Sequence, residues 1–200
     1  MTPVTELGAI LRRHAVHLAL VLPAVVAVTA VHELAHDVAV VLAGGTVLDW
    51  GILPDQGAWG RVAYRMPVAL LGARPAISAA PYLLWLAIVA ATAAWAWRRP
   101  PLRFRTASTA FVWGIAVPLA DIAYAAVPYA FGADNDLLSA FGPVSGSVRV
   151  RLLGVGLILA TVAYAAQRRL YGDAALSRSA FALGAALAAV AMVGLTVLFL

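Results

Sequence analysis

Two histidines and a glutamate in the stretch His32-Glu33-Leu34-Ala35-His36 have the spacing of a zinc site. On a helix, residues four apart project from one face about one turn apart, so both imidazoles could bind a single metal ion. Glu33 then lies where its carboxylate could accept a proton from a water on that metal, as in HExxH metalloproteases. The spacing therefore predicts Zn²⁺ bound by His32 and His36, with Glu33 as the general base.

This motif lies within an apolar segment, residues 15–43, that is long enough to cross a bilayer. A spanning helix needs ~20 mainly apolar residues, and a charge near the membrane centre costs at least ~2.5–3.5 kcal/mol. A His-Glu-His cluster is therefore costly there unless a metal ion or a partner holds it. The simpler alternative is a pair of histidines that hydrogen-bond between helices, but it leaves the spacing of Glu33 unexplained.

The composition is typical of an integral membrane protein. Of the 200 residues, 64% are hydrophobic and 12% are charged, and the mean hydropathy is +0.92, which no ordinary soluble domain shows. The chain has no cysteine, so a zinc site must use histidine and carboxylate ligands. All 14 basic residues are arginines in short clusters between apolar runs, a pattern that indicates membrane topology and no nucleic-acid partner.

Hydropathy predicts one all-α polytopic membrane domain over residues 1–200, with about five transmembrane helices and a small β-hairpin. The HExxH helix takes residues 15–43, and a hairpin loop takes residues 44–74, where two β-patterned stretches flank turn residues. The further spans are predicted at 75–97, 106–131, 149–167 and 179–200.

Arginine placement predicts the orientation of these spans. With the N-terminus in the cytoplasm, nine of the 14 arginines lie on the cytoplasmic side and five lie outside. Positive charge favours the cytoplasmic side of a membrane. We therefore expect an integral protein of the plasma membrane, with a cytoplasmic N-terminus and an external C-terminus.

The third zinc ligand must come from the chain's few acids, because catalytic zinc usually takes three protein ligands and one water. Asp121 is the leading candidate, since it is the one acid within a predicted span outside the HExxH helix. Pro118 should loosen the helix one turn before it. Asp134 and Asp136, near the outer mouth, are the second candidates. A polar contact between helices is the simpler alternative for Asp121.

These residues resemble the site-2 protease family of intramembrane zinc metalloproteases. That family has an HExxH helix, a β-hairpin, a Gly-Pro-x-x-Asn-like helix and a helix with Pro-x-x-Leu-Asp-Gly that supplies the third zinc ligand. The HELAH stretch matches the first motif, and a hairpin at 44–65 follows where the family has one. Arg-Pro-Ala-Ile-Ser at 74–78 stands at the second motif, and Pro-Leu-Ala-Asp at 118–121 stands at the third without the Leu-Asp-Gly order.

The resemblance covers about residues 15–131 and implies that Asp121 is the third ligand. It also implies that the substrate is a transmembrane segment of another protein or peptide. Ser78 takes the place of the family's asparagine, and Asn135 is either a polar loop residue or a donor to the oxyanion. The six tryptophans are predicted to be membrane-interface anchors or packing residues.

The predicted function is zinc-dependent intramembrane proteolysis, with the lipid bilayer and a transmembrane substrate as partners. Two alternatives stay open: a non-proteolytic membrane binding or regulatory module on the same fold, and a zinc hydrolase of another amphiphilic substrate. An intact Glu33 between two ligand histidines favours an enzyme. The departures in the second and third family motifs favour the alternatives.

Overall fold

The computed structural model describes residues 26–52 and 60–172, together with the isolated positions 15 and 23. This part of the chain is mostly helical, with one small antiparallel sheet. Helix α1 covers residues 26–42 and carries the HELAH motif. The later helices are α2 Arg74–Trp97, α3 Phe104–Phe111, α4 Val117–Ala130, α5 Asp136–Phe141 and α6 Gly146–Tyr171, and a 3₁₀ turn at Val68–Ala73 precedes α2.

Three helical stretches among the described residues are long and apolar enough to cross a membrane. They are Val68–Trp97, Phe104–Ala130 and Gly146–Tyr171, and they correspond to the spans predicted at 75–97, 106–131 and 149–167. The span predicted at 179–200 lies outside the described residues, as does the first part of the segment 15–43. The total of about five spans therefore stays a prediction.

The predicted hairpin is present. Strand β1, Thr46–Gly51, pairs with strand β2, Arg61–Arg65, in an antiparallel two-stranded sheet. Thr46 lies opposite Arg65 and Gly51 lies opposite Arg61, with a register shift between Val47 and Asp49. An exposed ion pair of 2.9 Å joins Arg61 Nη2 to Asp49 Oδ2 across the strands.

A wide turn joins α3 and α4 into one continuous helix. Val112–Ala116 form a π-helical turn directly before Val117 and Pro118. Proline has no N–H to donate and its ring clashes with the preceding turn, so the hydrogen-bond ladder opens there. Gly114 in this turn packs against α2, since a Cβ at this position would lie 2.9 Å from Cβ of Thr92. The loosened turn directly precedes the part of α4 that carries Asp121.

Two apolar clusters hold the helices together. The first lies between α2, α3, the π turn and α6, and its largest buried members are Val89, Phe111, Ile115, Leu170 and Tyr171. The second lies between α2, α4 and α5 and consists of Tyr82, Ala125, Tyr129 and Leu137. The first cluster therefore packs the C-terminal half of α2, and the second packs its N-terminal half beside α1.

Helix α6 leaves a long apolar surface uncovered. Its exposed large hydrophobic residues include Val150, Leu153, Val155, Leu157 and Ile158. Soluble monomers rarely expose a contiguous apolar patch of this kind, and such patches mark membrane or partner contacts. The surface of α6 is therefore the kind that a lipid-facing helix presents.

Candidate metal centre

Helix α1 places His32, Glu33 and His36 in the interior of the bundle. The two imidazole rings project from the same face, with centroids 5.0 Å apart. His36 is 7% exposed and Glu33 is 5% exposed, so the motif faces the protein and not the surrounding medium. The ring of Tyr82 on α2 packs edge-on against His32 at 5.4 Å.

One nitrogen of each ring is fixed by a neighbouring helix. Nδ1 of His36 lies 2.9 Å from the carbonyl oxygen of Ile77, and Nδ1 of His32 lies 2.6 Å from Oδ2 of Asp121. A carbonyl oxygen only accepts, so Nδ1 of His36 carries the proton and donates it. The lone pair of the neutral ring is then on Nε2, which is how metal-binding histidines are commonly oriented.

The Nε2 atoms of both rings converge on Asp136. Oδ2 of Asp136 lies 3.3 Å from Nε2 of His36 and 3.5 Å from Nε2 of His32. The ligand atoms of these three residues all lie within 4.8 Å of one another, so the group could hold a metal ion. Two neutral imidazoles and one carboxylate are a donor set that suits zinc and leaves a fourth position for water. The residues present therefore fit the metal that the motif predicts.

The start of α5 fixes the position of Asp136. Asn135 caps this short helix, with Oδ1 accepting from the backbone N–H of Leu137 at 3.0 Å. Its Nδ2 donates to the carbonyl of Ala125 in α4 at 2.8 Å, and Leu137 is buried in the second cluster. Asn135 thus uses both ends of its side chain to tie α5 to α4. This is a structural role, distinct from the oxyanion donor considered from the sequence.

The surroundings of Asp136 favour its ionised form. Burial disfavours the ionised carboxylate, but the neighbouring imidazoles of His32 and His36 outweigh this effect and hold the pKa of Asp136 below its ordinary value. The carboxylate is therefore available as a ligand.

Asp121 lies on the opposite side of His32 from Asp136. Its Oδ2 accepts hydrogen bonds from Nδ1 of His32 and from Nε1 of Trp85, the latter at 2.7 Å. Asp121 is not among the described residues whose ligand atoms converge. Trp85 is 3% exposed and donates a hydrogen bond in the interior, a role beyond that of the anchor or packing residue predicted from the sequence.

The remaining predicted residues, Ser78 and Asp134, are not among the residues whose ligand atoms converge. Ser78 is buried in α2 directly after Ile77. The contact of the 74–78 stretch with the site is the backbone carbonyl of Ile77, which accepts the hydrogen bond from His36. Asp134 is exposed and lies two residues before Asp136.

Gly60, just before β2, lies against the side chain of Glu33. A Cβ at Gly60 would overlap Oε1 of Glu33 and lie 2.7 Å from its Cδ, and the φ of Gly60 is +75°. Only glycine combines this left-handed backbone with so close an approach. The backbone of the hairpin at Gly60, which has no side chain, therefore lies directly against the side chain of Glu33.

Ile77, Trp85 and Gly60 are parts of this site that the sequence does not predict, because single residues in these positions have no motif. A usable signal existed for α5. An asparagine followed by aspartate and two leucines, at 135–138, is a helix-start pattern. That pattern would have placed Asp136 in an ordered first turn.

Comparison of the chain with protein-family models, with curated proteins and with solved structures finds no match. The resemblance to the site-2 protease family therefore depends on the motif residues quoted above.

Proposed function

We propose that this protein is an intramembrane zinc metalloprotease of the site-2 protease type, which cleaves peptide bonds of transmembrane segments. One observation carries the proposal: Nε2 of His32, Nε2 of His36 and Oδ2 of Asp136 converge beside the buried carboxylate of Glu33. In this proposal Asp136 is the third ligand, and Asp121 orients His32.

The three ligands come from α1 and α5, and their other contacts hold them in place. Nδ1 of His32 and Nδ1 of His36 are engaged by Asp121 and by the carbonyl of Ile77, so neither ring can rotate without losing a hydrogen bond. Bound to these residues, zinc would supply a water of lowered pKa and would polarise the peptide carbonyl.

In this proposal Glu33 is the general base. Its carboxylate lies one residue from His32 in the interior, beneath the backbone of Gly60. In the proposed reaction, Glu33 accepts a proton from the attacking water, whose oxygen bonds to the peptide carbon. Glu33 then gives the proton to the leaving amine as the C–N bond breaks. The products are a carboxylic acid and an amine, and Glu33 is regenerated.

Membrane insertion is supported by the three long apolar helices and by the uncovered apolar surface of α6. We extend this to five spans in the plasma membrane with the N-terminus in the cytoplasm, on the strength of the arginine distribution. The choice of a transmembrane segment as substrate follows from the family resemblance. A substrate helix must unwind locally before cleavage, since its peptide bonds are enclosed by its own hydrogen bonds, and the hairpin edge could hold the unwound strand.

The test is cleavage of a synthetic transmembrane peptide by the full chain in liposomes, with zinc content measured on the same samples. We expect Glu33→Gln to keep stoichiometric zinc and to lose about 10²–10⁴-fold in rate, because the amide has the same shape but cannot take a proton. Asp134→Asn, which removes an exposed carboxylate near the site, should leave both unchanged.

Two outcomes would contradict the proposal in different ways. A Glu33→Gln protein with full activity would exclude Glu33 as the base. A wild-type protein that binds zinc and cleaves no transmembrane peptide would favour the non-proteolytic binding module.

A further inference from the structure

Six arginines gather at the end of the helices that is remote from the metal centre. They come from the end of α2, the start of α3 and the last turn of α6, and are Arg98, Arg99, Arg103, Arg105, Arg168 and Arg169. Two contacts tie these segments together: the N–H of Leu102 donates to the carbonyl of Leu170 at 2.9 Å, and Arg169 Nη2 donates to the carbonyl of Trp97 at 3.0 Å.

This end of the protein has no nearby acid to balance the positive charge within the described segments. Residues 91–105 and 161–172 contain neither aspartate nor glutamate. Asp173 comes next in the sequence and lies outside the described residues. Within the described segments, six guanidinium groups and no carboxylate create a strongly positive surface, which attracts anions.

A cleft of about 750 Å³ opens at this surface. Its lining among the described residues consists of Ala91, Ala94, Trp95, Arg98, Arg99 and Pro100. The alanines form an apolar wall along α2, and the arginines stand at its end. The guanidinium of Arg99 lies over the ring of Trp95, 5.3 Å from its centroid, a cation–π contact that orients the side chain. The cleft is therefore amphipathic, with an apolar wall that leads to a cationic rim.

We propose that this cleft binds an anionic phospholipid, with the phosphate on Arg98 and Arg99 and the start of an acyl chain along Ala91 and Ala94. Planar guanidinium groups recognise phosphate oxygens through paired hydrogen bonds, and tryptophan favours the headgroup level of a membrane. The proposal depends on the membrane location proposed above and not on proteolysis. Arg98, directly after the end of α2, follows Ser78 by 20 residues, which corresponds to about 30 Å along a helix. The cleft and the metal centre can therefore be tested separately.

A simpler explanation of the arginines is that they only determine the cytoplasmic side of the membrane protein. That explanation requires a diffuse positive charge and no particular cleft. The lipid site requires both Arg98 and Arg99 and the open wall at Ala91 and Ala94. Variants that remove charge and variants that fill the cleft therefore distinguish the two explanations.

The experiment is lipid titration of the detergent-purified full chain by native mass spectrometry, with phosphatidylglycerol compared against phosphatidylcholine. We expect one molecule of phosphatidylglycerol to bind in preference to phosphatidylcholine. Arg98→Gln/Arg99→Gln should weaken this binding roughly 30-fold, since each arginine near an anionic lipid contributes about fivefold. Ala91→Leu/Ala94→Leu, which fills the wall and keeps every charge, should weaken it by a similar factor.

The control is Arg65→Gln/Arg151→Gln, which removes two exposed arginines from the hairpin and α6 and should bind as wild type does. The proposed site would be wrong if this control lost as much phosphatidylglycerol binding as Arg98→Gln/Arg99→Gln. It would also be wrong if Ala91→Leu/Ala94→Leu bound the lipid as wild type does, because either result would indicate a diffuse charge effect. If millimolar inorganic phosphate displaced phosphatidylglycerol, the cleft would be a site for free anions, and the proposal of a lipid ligand would be wrong. Circular dichroism and thermal melting of each variant verify that it is folded.

Discussion

Oδ2 of Asp121 accepts hydrogen bonds from two directions, from Nδ1 of His32 at 2.6 Å and from Nε1 of Trp85 at 2.7 Å. Because Nδ1 of His32 donates to this carboxylate, the opposite ring nitrogen points to the space shared with His36 and Asp136. A carboxylate behind a metal-binding histidine fixes the ring and raises its basicity. Asp121 of α4 thus contacts the candidate metal centre indirectly, by orienting His32 of α1.

The role of Asp121 predicts a partial loss of metal affinity. Asp121→Asn keeps the shape of the side chain but removes its charge, so zinc affinity should fall about 10–100-fold while the number of protein ligands stays the same. Trp85→Phe, which removes one donor to Asp121, should have a smaller effect. Zinc-buffer titration gives the affinity and X-ray absorption gives the ligand number. If X-ray absorption showed one zinc ligand fewer in Asp121→Asn than in wild type, Asp121 itself would be a ligand.

Asp136 and Asp134 form a matched pair for testing the third ligand. Asp136→Ala removes a carboxylate that lies 3.3 Å and 3.5 Å from the two Nε2 atoms, so zinc affinity should fall by more than about 100-fold. Asp134→Ala removes an exposed carboxylate two residues away and should leave affinity unchanged. The measurement is again zinc-buffer titration, on the purified full chain. Equal affinities for the two variants would remove Asp136 from the ligand set.

Gly60 should be required for the position of Glu33. Gly60→Ala adds a methyl group that overlaps Glu33 Oε1, so the proposed activity should fall steeply while zinc remains bound. Gly142→Ala is the control, because Gly142 has a φ of +77° and open space around its missing Cβ. It carries the same backbone strain without the overlap. Cleavage rate, zinc content and stability should be compared in both variants. Equal losses of activity would mean that strain alone explains the effect.

Gln167 offers a test of core energetics. Its side chain is fully buried in α6, and neither Oε1 nor Nε2 has a hydrogen-bond partner among the described residues. A buried unsatisfied polar group costs about 1–3 kcal/mol, so Gln167→Met, which is similar in size, should raise the free energy of unfolding by about this amount. Unfolding by sodium dodecyl sulfate in mixed micelles measures the change. A destabilised Gln167→Met protein would show that the amide has a stabilising partner.

The sequence by itself determined the features that depend on local spacing. The four-residue interval between His32 and His36 fixes their common face, because the helical period is local. Apolar runs of about 20 residues predict the three helices that the structure describes with suitable length. Two β-patterned stretches around turn residues predict the hairpin, which the structure contains.

Only the tertiary structure shows which aspartate lies at which ring nitrogen of the two histidines. The sequence narrows the third ligand to Asp121, Asp134 or Asp136, but each is about 90–100 residues from the histidines, and helix packing sets which one approaches which ring nitrogen. Packing of α4 against α1 places Asp121 at Nδ1 of His32, and the cap of α5 places Asp136 at both Nε2 atoms. Such long-range contacts have no period in the sequence, so the proposal of Asp136 as the ligand and Asp121 as the orienting residue required the fold.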